Sequence, residues 1–290
     1  MVSSNMLKKK REHFSAVDFI LDNLVSIIFL VISFLAIPVS GLSAHHIIAE
    51  ILTRIGRNSF LVFALILPIM AGMGINFGMV LGAMAGQIGL IFAMDWSIGG
   101  IYGLVFAAGI GMPLSILLGI VAGSVLNRAR GREMVTSYIL GFFFNGIYQF
   151  FVLYILGSVI PMHNKAIMLS RGYGVRNTLE LAPVRQMLDT AIPLTIAEFK
   201  IPILSYLIII ALCFFIVWFR KTKLGQDMRA IGQNQAVSLA SGIAVERTRI
   251  ISIVISTVLA CIGQIIFLQN MGNMSTYNAH DQTGFFAAAA

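Results

Sequence analysis

Long apolar stretches dominate this chain, separated by short runs rich in Arg, Lys, Gly and Pro. Ile20 to Val39, Gly99 to Val125, Met134 to Ile160, Ile203 to Phe219 and Ile250 to Leu268 are near or above the ~20 residues a helix needs to cross a bilayer. Ser59 to Gly72 is apolar for only about 14 residues, short of a full crossing. It meets AGMGINFG (Ala71 to Gly78), and the apolar pattern resumes from Met79 to Ala93. This predicts a span, a glycine-rich break at mid-membrane and a returning span. Ahead of it, AHHIIAEILTRIGRNS (Ala44 to Ser59) places Ile47, Ile48, Ile51, Leu52 and Ile55 at helical spacing. That stretch predicts an amphipathic helix lying on the outer membrane face.

The predicted fold is all-α, a polytopic transmembrane helical bundle of about seven spans. The chain stops at FFAAAA (Phe285 to Ala290), which reads as the first turns of an eighth. A span needs about three times that length, so at least one further C-terminal helix is expected beyond this sequence. Residues 1–290 then form one transmembrane domain, with two polar excursions at 161–202 and 220–249.

Composition agrees: 58% of the 290 residues are hydrophobic and only 11% charged, too little polar surface for a soluble domain of this length. The formal charge of +8 raises the question of nucleic acid, but the basic residues sit in short clusters beside apolar spans. Lys8 to Arg11, Arg128 to Arg132 and Arg220 to Lys223 follow the positive-inside rule, not a phosphate-binding face. They place the N-terminus and the 220–249 segment in the cytoplasm and 161–202 outside. Arg54 and Arg57 on the outer side run against that rule. The lipid bilayer is thus a partner and nucleic acid is not.

Chemistry-bearing residues are sparse. Cys213 and Cys261 both fall inside predicted spans, so neither a disulfide framework nor a metal set is implied. His45 and His46 are adjacent, point about 100° apart on a helix and cannot share a metal from one face. His280 and Asp281 fall in a predicted external loop, where solvent exposure is the default. No Asp, Glu, Lys or Arg lies mid-span, which argues against an ion-coupled secondary transporter. No G-x-x-x-x-G-K-[ST] occurs either, so ATP chemistry belongs elsewhere. No clustered His, Asp or Glu at a membrane face suggests an enzyme.

The polar residues inside spans are then the candidates for a solute path. AGMGINFGMVLGAMAGQIGL (Ala71 to Leu90) repeats Gly at Gly78, Gly82 and Gly86, one helical face suited to tight helix packing. Asn76 in the break needs partners at that depth, and Gly74, Asn76 and Gly78 are candidate path residues. Asn145 and Gln149 share one helical face, and Gln264 lies on another span. Interhelical hydrogen bonding and solute contact are equally open for these three.

One polar stretch between spans is built as a helix: GQDMRAIGQNQAVSLASGI, Gly225 to Ile243. Asn234 is a ready N-cap for Gln235 to Ala240, and Gly242 can take the left-handed C-terminal position. Its apolar members, Val237, Leu239 and Ala240, are small enough to dock closely into another protein. The other reading is an ordinary juxtamembrane loop with snorkelling basic residues.

Gly225, Ala230, Ile231, Gly232, Asn234, Ser241, Gly242 and Ile243 form a pattern that resembles permease subunits of ABC importers, in the ribose/simple-sugar and branched-chain amino-acid permease family. Ala236 and Val237 stand where the family has an Ala-Ala pair. The family's Gly-Ile-Asp/Asn-x-(Ser)-x-Gly element is similar to Gly74, Ile75, Asn76 and Gly78. The resemblance implies that Arg229, Gly232, Asn234, Ala236, Ser238, Ser241 and Gly242 belong to a cytoplasmic coupling segment that contacts a separate ATP-hydrolysing subunit. It further implies a second permease subunit, the same or a sister chain, and an extracytoplasmic solute-binding protein. ATP and Mg would be bound by the ATPase, with no cofactor and no catalysis in this chain. A path without fixed charge points to a small neutral solute, a simple sugar or nucleoside. A branched-chain amino acid, or a secondary transporter, is the alternative. The cell membrane of a prokaryote is the expected location.

Overall fold

The computed structural model describes residues 21, 23–191, 193–196 and 199–289. The basic block Lys8 to Arg11 and the start of the first span at Ile20 lie outside the described residues. The chain divides into two compact units, Met1–Glu50 and Ile51–Ala290. In the first, α1 (Leu24–Ser40) is apolar along its whole length, runs through Pro38 and stops where Gly41 takes φ 67. None of its residues is buried.

The long helices follow in chain order: α2 (Ala44–Met70), α3 (Met79–Asp95), α4 (Gly100–Arg128) and α5 (Glu133–Phe150), which continues as a π-turn over Phe151–Ile155. After the polar excursion come α7 (Ile203–Phe219), α8 (Lys223–Gln233), α9 (Gln235–Ala240), α10 (Val245–Met271) and α11 (Asp281–Ala289). Four of them, α2, α4, α5 with its π-turn, and α10, are long and apolar enough to cross a membrane. A fifth crossing arises if α7 and α8, bent by 74° at a short break, are one span, whereas α1 and α3 are shorter apolar helices. The chain is therefore a predominantly helical membrane bundle, with four or five candidate crossings among the described residues.

Two sequence expectations change. The amphipathic stretch from Ala44 does not end near Ser59 as a separate surface helix. It continues without interruption to Met70, because nothing between Ser59 and Pro68 removes a backbone donor or forces a turn. The glycine-rich break also lies elsewhere than expected. Gly72 packs on Gly232, and the Phe77 amide donates to Ser137 Oγ within the second turn of α5 at 3.1 Å. That is the end of the bundle carrying Arg128 to Arg132 and Arg220 to Lys223, not mid-depth.

The centre is a three-helix contact of α3, α4 and α10. Small residues decide how close these helices come. A Cβ on Gly82 would meet the Thr257 carbonyl oxygen of α10 at 2.0 Å, and one on Gly89 would meet the Ala107 carbonyl oxygen of α4 at 2.1 Å. Around this contact lie two apolar clusters. One, with Leu61, Leu65, Met73, Met79, Phe219, Met228 and Ile253, fills the basic end. The other, with Met84, Leu90, Val152, Leu156, Val175, Leu181 and Met274, fills the opposite end.

The 161–202 excursion is not a plain loop. It holds β1 (Thr178–Glu180), a one-turn α6 (Met187–Thr190), and the pair β2 (Pro193–Ile196) and β3 (Phe199–Pro202), antiparallel with Leu194 opposite Ile201. β1 pairs antiparallel with β4 (Asn273–Ser275), which follows α10. Two carboxylates tie this region to the helix ends. Asp95, buried at the end of α3, accepts from the backbone amides of His163 and Asn164 at 2.8 and 2.9 Å. Asp189 accepts from Asn270 Nδ2 at 2.7 Å and Ser205 Oγ at 3.0 Å.

Candidate functional site

Two places gather the polar chemistry, one at the basic end and one inside the bundle. At the basic end, α8 buries Met228 and Ile231 on one face and exposes Arg229 and Gln226 on the other, the i, i+3 pattern of a helix resting on a protein surface. Thr222 caps it by accepting from the Gly225 amide at 3.3 Å. Its docking depends on Gly232, where a Cβ would meet the Met70 carbonyl oxygen at 2.3 Å. The end of α8 is therefore seated directly on the end of α2.

The chain then turns sharply at Asn234. Its Oδ1 accepts from the amides of Ala236 and Val237 at 3.0 and 3.1 Å, a two-donor N-cap for α9. Ser238 is buried and returns its hydroxyl to the Asn234 carbonyl at 2.9 Å, and Ser241 donates to the Val237 carbonyl at 2.9 Å. Gly242 sits at φ 82, a left-handed position that L side chains rarely adopt, and ends the turn. The predicted caps and span of α9 are thus those observed. Ala236, Val237, Leu239, Ala240 and Ser241 all face outward. Val237 is 59% and Leu239 64% exposed, an apolar pair on a helix surrounded by charges.

Behind this segment, Arg249 is 99% buried at the start of α10 and pairs with Glu133 at the start of α5. Its Nε and Nη1 have no hydrogen-bond partner, although both are buried. The sequence shows Arg249 only as one of several flanking basic residues. Nothing in the spacing distinguishes it from Arg247, which is exposed.

The second place is a buried polar cluster around His280. It was expected on a solvent-exposed loop, but the imidazole is 0% exposed. The segment after β4 folds back between the helices, and its backbone polar groups are satisfied by helix side chains. Tyr148 Oη donates to the Thr276 carbonyl at 2.8 Å, and Gln264 Nε2 donates to the Ala279 carbonyl at 3.2 Å. His280 lies 2.8 Å from Gln87 Oε1 and 3.1 Å from Asn145 Oδ1. A neutral ring donates from one nitrogen only, so one of these amides presents its NH2 to the ring. Gln87, whose Nε2 has no other partner, is the one free to do so. Gln149 Nε2 donates to Asn145 Oδ1 at 3.3 Å, and Thr283 Oγ1 to Gln264 Oε1 at 2.9 Å.

The structure thus brings together three of the six candidate path residues, Asn145, Gln149 and Gln264. It adds His280, Gln87, Tyr148 and Thr283. Gln87 was visible as the lone amide of AGQIGL. Thr283 and His280 carry no sequence signal, since only the fold-back buries them.

The other three candidates, Gly74, Asn76 and Gly78, form the turn at the basic end. Asn76 is buried, and its Oδ1 accepts from the Gly78 amide at 2.9 Å, while Nδ2 has no partner. Between this turn and the His280 cluster lies a cavity of about 200 Å³, walled by Phe77, Val80, Tyr138, Gly141, Phe142, Asp281 and Phe285. On α3, Val80 and Gln87 are two helical turns apart on one face, and on α5 Gly141 and Asn145 are one turn apart. Turn, cavity and cluster therefore lie in sequence along the same helix faces.

A family model described as "Branched-chain amino acid transport system / permease component" matches residues 47–290 of this chain. A curated relative, the nucleoside ABC transporter permease protein NupB of Lactococcus lactis subsp. cremoris (strain MG1363), is 26% identical over 255 residues. That alignment covers 87% of this chain and 67% of the relative. No solved structure matches the chain significantly.

Proposed function

The chain belongs to the branched-chain amino acid transport system permease family of ABC transporters, and on that premise we propose that it is the membrane-embedded subunit of an ATP-driven importer for a small neutral solute. Membership makes it a multi-pass membrane transport component and sets aside the secondary-transporter alternative. ATP hydrolysis falls to a separate cytoplasmic subunit, with ATP and Mg bound there. A solute-binding protein delivers cargo to the opposite face, and a second permease subunit, the same or a sister chain, completes the path. The basic end faces the cytoplasm of a prokaryotic cell, as the positive-inside rule requires.

The observation that carries this reading is α9. An exposed helix of six residues, closed by Asn234 at one end and Gly242 at the other, would be poorly stable alone. Here Asn234 caps it and Ser238 anchors it, and it presents Val237 and Leu239 to a partner. Exposed apolar residues grouped on a capped element mark a protein contact. Because Gly232 seats α8 on α2, a push on α9 reaches the Gly74–Asn76–Gly78 turn through packed backbone. In this proposal ATP binding in the partner moves α9, and the helices rock to expose the path alternately.

The path itself we assign to Asn145, Gln149 and Gln264 with the turn at Asn76. Neutral amides dominate it, which favours a neutral solute over a zwitterionic branched-chain amino acid, whose charges would need fixed counter-charges once desolvated. A nucleoside or a simple sugar fits that chemistry, and the relative's name supports the nucleoside.

Replacing Val237 and Leu239 together with Glu is the test. The amount of permease in the membrane is expected to stay within twofold, since both side chains are exposed. Co-purification of the ATPase and ATP-driven uptake are each expected to fall at least tenfold. Bulky charged residues at Ala236 and Ser241 should act alike. Uptake at the original rate with the ATPase still attached would remove the coupling role from α9.

A further inference from the structure

The aromatic cavity between the Asn76 turn and the His280 cluster has a composition that selects among neutral solutes. Phe77 stands edge-on to Tyr138, with centroids 5.7 Å apart, and faces Phe285 at 5.9 Å. Tyr138 in turn stands edge-on to Phe142 at 4.6 Å. Four rings from three separate segments thus line one half-open cleft, with Phe142 and Phe285 more than half exposed at its rim. Its fixed charge is Asp281, half-exposed and 3.4 Å from His280 Nε2.

The space is kept open by a missing side chain. Gly141 is buried in the middle of α5, where glycine costs helix stability relative to alanine. Nevertheless a Cβ built there would meet nothing within 4 Å. No neighbouring backbone requires a glycine at this position, in contrast to Gly82 or Gly232. What the glycine does is leave the cavity empty.

A free sugar carries hydroxyls around its whole rim, and each one buried without a partner is costly. A cavity walled by four aromatic rings and one carboxylate cannot satisfy them. A nucleobase suits it better, because every base has a π-face that stacks on Phe or Tyr whatever its substituents. About 200 Å³ is below the roughly 300–1,000 Å³ of sites that enclose a whole drug-sized ligand, so the cavity takes one heterocycle and leaves the remainder outside.

We propose that this cavity is the nucleoside site of the permease: the base lies among Phe77, Tyr138, Phe142 and Phe285, and the Asp281 carboxylate accepts from the ribose hydroxyls. This rests on the importer reading above and narrows its solute class to nucleosides. The amide cluster at Asn145 and Gln87 then stands one to two helical turns further along the same helix faces.

Binding and transport are measured separately. Detergent-purified permease is titrated with uridine and with adenosine, and the permease reconstituted with its ATPase is assayed for uptake of both. Gly141→Leu, whose Cβ would meet nothing within 4 Å and whose side chain would occupy the cavity, is expected to weaken binding and cut uptake at least tenfold. Asp281→Asn is expected to weaken both about tenfold, and Gly141→Ala to leave both within twofold. ATPase co-purification should be the same in all three variants. Free ribose should compete at least a hundredfold less well than uridine.

If the wild-type protein binds uridine but imports nothing with ATP, the importer reading fails and the site stands. If Gly141→Leu and Asp281→Asn both bind uridine as the wild-type protein does, the site is wrong. Absence of uridine and adenosine binding by the wild-type protein, or preference for ribose, overturns it as well.

Discussion

Glu133→Ala is expected to be the most destabilising single substitution at the basic end, by about 3–5 kcal/mol, because it strands a buried guanidinium. Arg249 is 99% buried and Glu133 is its sole ion-pair partner among the described residues. Its Nε and Nη1 are already without partners, so no spare acceptor waits nearby to replace the carboxylate. The loss should appear as a lower denaturation midpoint of the purified protein in detergent. Removing both charges, with Glu133→Gln and Arg249→Met, should recover most of it, because desolvating the pair offsets much of its attraction. The neighbouring pair, Arg130 with Glu246 at 2.8 Å, supplies the control. Its side chains are 49% and 72% exposed, and Arg130→Ala should change stability by no more than about 1 kcal/mol. A Glu133→Ala protein as stable as the Arg130→Ala protein would show that Arg249 finds water or lipid headgroups after all.

The second large effect is expected at the three-helix contact. In Gly82→Val the new Cβ would start 2.0 Å from the Thr257 carbonyl oxygen, so α3 and α10 must separate by more than about 1 Å to reach ordinary contact. Thr257 has little freedom to yield. Its hydroxyl sits between two acceptors, the Val254 carbonyl of its own helix at 2.8 Å and the Ser115 carbonyl of α4 at 3.1 Å, and a Cβ on the α4 residue Gly119 would come to 2.3 Å from that hydroxyl. One residue therefore locks α10 to both partners. Overpacking costs about 1–3 kcal/mol where neighbours can shift, and more where backbone blocks the way. Gly82→Val is expected to reduce the folded yield in the membrane severalfold, with Gly82→Ala intermediate. Gly109→Ala, also on α4 but open to 4 Å, should be neutral or stabilising, since alanine favours helix there. Equal yields for Gly82→Val and Gly109→Ala would mean that α3 does not approach α10 this closely.

Local chemistry in the chain already specified α9. Asn234 and Gly242 are a cap and a stop whose preferences act within a few residues, so their roles can be read without knowing the neighbours. The apolar spans are legible for a similar reason, since a bilayer imposes a length and a polarity that composition records directly. The boundary expected at Ser59 is absent, because the amphipathic stretch and the apolar stretch after it form one helix, Ala44–Met70. Arg57 in fact donates to Asn270 Oδ1 at 2.9 Å and sits over the Phe267 ring, so a charged residue is accommodated within a continuous helix.

The interior was not legible in the same way. Asn145, Gln149 and Gln264 stand out as polar residues in apolar surroundings, yet His280, which joins Asn145 to Gln87, lies in a stretch that reads as an exposed loop. Its burial follows from the fold-back after β4, which β1 fixes from nearly a hundred residues earlier in the chain. Glu133 and Arg249 are likewise ordinary flanking charges until α5 and α10 meet.

The sequence by itself determined a helical membrane protein, its basic end and a capped helix at that end, because bilayer thickness, charge bias and capping all act locally. Only the tertiary structure decided which polar residues face one another, that Gly82 guards a helix contact, and that Gly141 guards a cavity. Those properties belong to distances between helices, and a glycine that touches a neighbour looks the same in sequence as one that faces empty space.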